Sequence, residues 1–157
     1  MSEGVIICLI PDSTYSTARP EVVDPHLTLG YFGKSSDMHP SAPKRLRASV
    51  DLIAQFAGPI SAKANGLGVF DYSPGCVIVD LIDSSKLMGL YTQLANAYRI
   101  NTPVQMDRTH GFTPHISRTL MPSCEFHLTS DLEVVEFTFT AVGLWYGDER
   151  YEVELDR

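Results

Sequence analysis

The stretch Pro25-His26-Leu27-Thr28-Leu29-Gly30-Tyr31-Phe32-Gly33 alternates in character, as a half-buried strand does. Its opening returns later in the chain. Pro114-His115-Ile116-Ser117 repeats the order proline, histidine, apolar residue, hydroxyl, at a spacing of 115 − 26 = 89 residues. Proline fixes φ and lacks a donor N–H, and the first residue of a strand needs no ladder donor. Residues i and i+2 of a strand point to one face. Each motif therefore sets an imidazole beside a hydroxyl and turns the residue between them to the other side. The repeat reads as two related half-units.

Around these motifs the chain alternates between strand and helix signals. Residues 4–10 read as a buried strand, and the Ser/Thr-rich segment 11–24, which contains Tyr15, reads as polar connection. A helix starts near Ser41 with Pro43 in its first turn, and Leu46, Val50, Ile53 and Ala57 form its apolar stripe before Gly58-Pro59. Strands are expected at 60–70 and 76–82, joined by a turn around Ser73-Pro74-Gly75. A second helix from Ser84 or Ser85 buries Leu87, Leu90, Tyr91, Leu94 and Tyr98 and ends at Asn101-Thr102-Pro103. Strands at 112–120, 132–145 and 150–155 follow. With no linker or low-complexity segment, the expectation is one α+β domain, 1–157.

The chemistry follows from the side chains. An imidazole titrates near neutrality and can give or take a proton. A hydroxyl can donate to a non-bridging phosphate oxygen. Two facing pairs supply an acid, a base and two anchors, enough for in-line displacement at phosphorus without a metal. The pattern alone is weak. Ser and Thr make up 25 of 157 residues, so five histidines would meet His-x-Ser/Thr about once, and four do. His39-Pro40-Ser41 sits in a loop and reads as helix-cap sequence. His127-Leu128-Thr129 lies in polar, turn-like sequence with 157 − 127 = 30 residues left to complete a half. Context selects His115.

Pro-His-Leu-Thr-Leu-Gly-Tyr-Phe-Gly at 25–33 and Phe-Thr-Pro-His-Ile-Ser-Arg at 112–118 resemble the two signature motifs of the 2H phosphoesterase superfamily. This group holds bacterial 2′–5′ RNA ligases, RNA 2′,3′-cyclic phosphodiesterases and related cyclic nucleotide phosphodiesterases. Gly68-Val69-Phe70 followed by 76–81 is similar to its central Gly-x-Phe turn and strand pair, and 137–144 with 151–155 to its closing strands. The resemblance implies a bilobal, two-half fold with pseudo-twofold symmetry, antiparallel sheets lining a central cleft and helices outside. It implies His26 and His115 as the catalytic acid and base, with Thr28 and Ser117 holding phosphate oxygens. The family's behaviour favours His26 as acid and His115 as base in hydrolysis, although the sequence does not separate these roles. Ser117 stands where many members have Thr, and Arg118 where an apolar residue is common. Compact members also occur in bacteriophages, where some destroy cyclic nucleotide signals of bacterial immunity.

Other readings compete. A structural role for the histidines, or an inactive nucleotide-binding module on the same fold, is one alternative. A metal site from Asp107, His110, His115 and His127 is another, but His-x4-His with one acid matches no usual zinc spacing. Neither a metal nor a cofactor is expected. Tyr15, Phe70, Tyr72 and Trp145 are the aromatics able to stack on a nucleobase, although any one of them is more often core than platform, and Lys44, Arg45 and Arg47 form a solvated helix face.

Composition narrows the partners. A 44% hydrophobic, 20% charged chain of 157 residues is an ordinary globular protein with room for a core. Its formal charge of −7 disfavours extended duplex, whose binding rests on phosphate neutralisation, and favours small nucleotides or nucleic-acid ends. The apolar run 5–10 stops at Pro11, too short for a signal peptide or membrane span. Cys8, Cys76 and Cys124 are odd in number and widely spaced with no C-x-x-C, and two of them sit in apolar runs, which reads as buried free thiols. The expectation is a reduced, cytoplasmic protein with no membrane partner.

Overall fold

The structure is a computed structural model describing residues 3–72, 75–99, 102–109, 111–121 and 133–156, the side chains of Tyr72 and Met121 excepted. Its strands are β1 (Gly4–Pro11), β2 (Leu27–Lys34), β3 (Ile60–Tyr72), β4 (Gly75–Asp83), β5 (His115–Met121), β6 (Val135–Tyr146) and β7 (Glu149–Glu154). Its helices are α1 (Ser13–Ala18), α2 (Ala42–Ala57) and α3 (Leu87–Ala97). All described pairings are antiparallel.

The strand order separates into two similar halves that share one strand. β2 pairs with β1, and β1 with the second part of β6, which β7 flanks. β5 pairs with β4, β4 with β3, and β3 with the first part of β6. Each motif strand thus lies at the same place in its own four-strand arrangement. Between the motif strands one rung is formed, Leu27 opposite Ile116. This is the two-half α+β architecture that the resemblance implied.

The apolar pattern explains which face is buried. Val5, Ile7 and Leu9 of β1, Leu27 and Leu29 of β2 and Ile116 of β5 are fully or almost fully covered. Each such side chain contributes about 1.5–3 kcal/mol by leaving water. α2 lays Ala42, Leu46, Val50 and Ala54 on β6 and β7, and ends at Gly58 with φ 66°. α3 packs Leu94 against β2, where a Cβ on Gly30 would stand 2.7 Å from Met106 Sδ and 3.1 Å from Leu94 Cδ2. Helix and strand positions follow the expected pattern, with two differences. α3 stops at Ala97, before the expected Asn101-Thr102-Pro103 end. α1 arises inside the segment read as polar connection, started by the Asp12 carboxylate, which accepts the Thr14 N–H at 3.1 Å.

The cysteines need correction. Cys76 is disulfide-bonded, which overturns the reading of a wholly reduced chain, while Cys8 is a buried free thiol. Wide spacing in sequence does not tell a free thiol from a bonded one. Burial, then the Glu152 charge, pushes the Cys8 thiol up, so it stays protonated. Cys124 and the Ser73-Pro74 turn lie outside the described residues. No helix among the described residues is long and apolar enough to cross a membrane.

Candidate active site

The single rung between the motif strands decides the arrangement of the site. Continuing the antiparallel register one residue either way from Leu27 and Ile116 sets His26 opposite Ser117 and Thr28 opposite His115. Leu27 and Ile116 face the core, so these four side chains share the other face, on two adjacent positions of one ladder. His26, Thr28 and His115 are half-buried there and Ser117 is exposed.

Both rings are held the same way. His26 Nδ1–H donates to the Asp24 carbonyl at 2.9 Å, and His115 Nδ1–H to the Thr113 carbonyl at 2.7 Å, each two residues upstream. That bond fixes the tautomer and leaves Nε2 of each neutral ring as the basic atom. Each ring also meets one aromatic. Trp145 of β6 stacks at a tilt on His26 with centroids 4.2 Å apart, and Phe70 of β3 meets His115 edge-on at 4.5 Å. Both aromatics end a Gly-apolar-aromatic run, Gly68-Val69-Phe70 and Gly143-Leu144-Trp145, on corresponding strands of the two halves. A Cβ on Gly143 would stand 3.2 Å from the indole nitrogen, so glycine lets the indole lie flat there.

The electrostatics differ between the rings. Arg150 lies over Trp145, its guanidinium carbon 3.9 Å from the ring centroid, and pairs with Asp24 at 3.2 Å. Trp145 Nε1–H donates to Glu152 at 2.9 Å. Asp24, at φ 49°, thus closes a circuit of contacts through Arg150, Trp145 and His26. Burial holds the His26 imidazole below its ordinary range; the Asp24 carbonyl opposes this, and the Arg150 and His115 charges add to the lowering.

A cavity of about 520 Å³ opens beside Thr28 and His115, with Tyr91 and Phe112 stacked face to face at 4.4 Å on its wall. A smaller one of about 320 Å³ lies beside His26, Trp145 and Arg150. The site thus has room on both sides of the histidines.

Other expected residues fall elsewhere. Tyr15 is not a stacking platform: it is fully buried, packs edge-on against Phe137 and donates to Asp80. The Tyr72 side chain, His110 and His127 lie outside the described residues. His39 holds the start of α2, its Nδ1 accepting the Ser41 N–H at 3.1 Å. The Asp107 carboxylate accepts from the Thr109 N–H at 2.8 Å and hydroxyl at 2.6 Å, shaping a turn. Among the described residues no three His, Cys, Asp or Glu side chains are grouped to hold a metal. Sequence reasoning missed Arg150, Tyr91 and Phe112; the repeated Gly-apolar-aromatic run was the available signal for the Trp145 wall.

No family model and no curated protein sequence matches the chain. Solved structures do. TT0787 of Thermus thermophilus is similar at TM-score 0.67 and 18% identity, covering 98% of this chain and 95% of that one. Escherichia coli LigT in its complex with ATP is similar at 0.59 and 14%, covering 99% and 95%. A further structure, described as a phosphoesterase, gives 0.56 and 16%, covering 100% and 97%. The fold is therefore the one these solved structures share.

Proposed function

We propose that this chain, built on the LigT fold, is a 2H-type phosphodiesterase of small nucleotides. The observation that carries the reading is the register at Leu27 and Ile116, which supports two imidazoles and two hydroxyls on one face of one ladder. The substrates that fit are phosphodiesters beside a ribose hydroxyl: a 2′,3′-cyclic phosphate, a 2′–5′ linkage or a cyclic oligonucleotide. The contacts of Phe70 with His115 and of Trp145 with His26 support these two aromatics as the walls that would meet a base.

In hydrolysis one Nε2 takes a proton from water as its oxygen bonds to phosphorus. The other Nε2–H gives a proton to the departing ribose oxygen as the P–O bond breaks. Thr28 and Ser117 donate to the non-bridging oxygens, whose charge grows in the transition state. We read His26 as the base, opposite to the family-based expectation, because burial and Arg150 favour its neutral form. Proton transfer and charge stabilisation are then complete in these four side chains, so turnover needs no divalent ion.

The test is a panel of 2′,3′-cyclic mononucleotides, 2′–5′ and 3′–5′ dinucleotides and cyclic di- and trinucleotides, each with and without EDTA. Turnover of at least one member, unchanged by chelator, is expected. Loss on chelation with recovery by one divalent ion would remove the metal-independent mechanism. Tight binding of a panel member without turnover would favour a nucleotide-binding module.

A further inference from the structure

One rung is a loose joint. Register in a ladder is normally set by several rungs and by the side chains on its faces. Among the described residues the motif strands share only the pair Leu27 and Ile116. Two imidazoles from different strands need tighter placement than this, since a misplacement of about 1 Å costs on the order of 100-fold in rate.

Behind that rung the sheet carries charge. Leu27, Ile116 and Asp80 run in one row across β2, β5 and β4, and Asp80 is fully buried. The Tyr15 hydroxyl donates to Asp80 Oδ2 at 2.6 Å and Arg19 Nε at 3.3 Å. Arg118 Nη1 stands 3.7 Å from Oδ1, which accepts no hydrogen bond among the described residues. Arg118 follows Ser117 directly, and its Nη2 donates to Glu21 at 2.8 Å. Tyr15, Arg19 and Glu21 belong to the segment that leads into His26. Asp80 and Arg118 belong to the strands of the other half. The Tyr15, Arg19 and Glu21 contacts cross the seam between the halves, and the Arg118–Asp80 contact joins their anchors within the second half.

We propose that Arg118 and Asp80 are positioning residues, an ionic latch behind the sheet that sets where His26 stands relative to His115. Desolvation largely offsets the attraction of a buried ion pair, so such a cluster is a poor source of stability. Its geometry is directional, however, and resists the small slides that apolar packing tolerates. The latch rests on the two-histidine reading of the site, and it gives Arg118, which points away from the histidines, a part in their chemistry.

Arg118→Met is the first variant, because its side chain is 22% exposed and its loss leaves the Tyr15 and Arg19 bonds to Asp80 in place. It should lower kcat roughly 10- to 100-fold with KM little changed. Glu21→Gln should lower kcat less, and the double variant should be no worse than Arg118→Met. Arg118→Lys should recover part of the loss, having the charge without the planar fork. A second arm needs no substrate. The NMR titration midpoint of His26, with and without His115→Ala, measures how strongly the rings sense each other, and Arg118→Met should shrink that difference. Wild-type kcat in Arg118→Met, a loss confined to KM, or an unchanged ring-to-ring difference would each overturn the latch. A wild-type protein inert on every substrate would overturn the proposed function, and the titration would still decide the latch.

Discussion

The two histidines are tethered alike and surrounded differently. Each donates Nδ1–H to a carbonyl two residues upstream, and each meets an aromatic from the corresponding strand of its half. Around His26 the aromatic is backed by a cation, Arg150 on Trp145, and the adjoining cavity is about 320 Å³. Around His115 the aromatic meets the ring edge-on, and the cavity is about 520 Å³. The repeat thus gives both halves one geometry, and in the proposed mechanism the differing surroundings of the rings are what would separate acid from base.

The comparison can be broken most directly at the rings themselves. His26→Ala and His115→Ala should each lower kcat by roughly 10²–10⁴-fold, the usual share of one positioned acid or base. They should differ in rescue. A substrate with an activated leaving group, such as a p-nitrophenyl ester, needs no general acid, so it should restore much of the rate of His115→Ala and little of His26→Ala. The opposite pattern would reverse the assigned roles.

The hydroxyls come next. Thr28→Ala and Ser117→Ala should each cost about 1.5–3 kcal/mol of transition-state stabilisation, the worth of a hydrogen bond to a charged group. Equal losses, measured as kcat/KM, would match their equivalent places on the ladder. A silent Ser117→Ala would restrict phosphate anchoring to the first half.

Smaller effects should follow at the aromatics, where removing a stacking partner costs about 1–3 kcal/mol per base. Trp145→Ala should exceed Phe70→Ala in KM, because it also removes the ring under Arg150 and the hydrogen-bond donor to Glu152.

The finest distinction is in pH. His26 must be neutral to act as base, and its lowered pKa places the acid limb of kcat/KM below the ordinary imidazole range. Arg150→Gln removes one cause of that lowering, so the limb should move to higher pH and activity near pH 6 should fall relative to wild type. The same depression affects stability. The contribution is fully present above the unfolded value near 6.5 and is lost as pH falls through the folded one. Urea midpoints measured across that range should decline more in wild type than in His26→Gln.

The sequence made the motif strands legible because alternation and a preceding proline are local properties. α2 was legible for the same reason, through Leu46 and Val50 at helical spacing. The partner of Tyr15 was not legible because nothing local shows that the segment around it folds over the back of β4 onto Asp80, which is 80 − 15 = 65 residues away. Arg118 was seen to face away from His115, but its partners Glu21 and Asp80 come from opposite halves and no spacing rule joins them. Pairs that depend on strand order cannot be read before the strand order is known.

β6 has a consequence for how this protein can be divided. Its first part completes the edge of one half and its second part lies inside the other, so the repeat is not a pair of separable modules. Cutting the chain between the halves would leave β1 of the amino-terminal fragment paired with β2 on one side and without β6 on the other. The row of N–H and C=O groups exposed there would invite association with other chains. Two similar halves that share a strand in this way are committed to remaining one polypeptide. Expressed separately, the two pieces should regain the fold only when mixed, with β6 of one supplying the missing edge of the other.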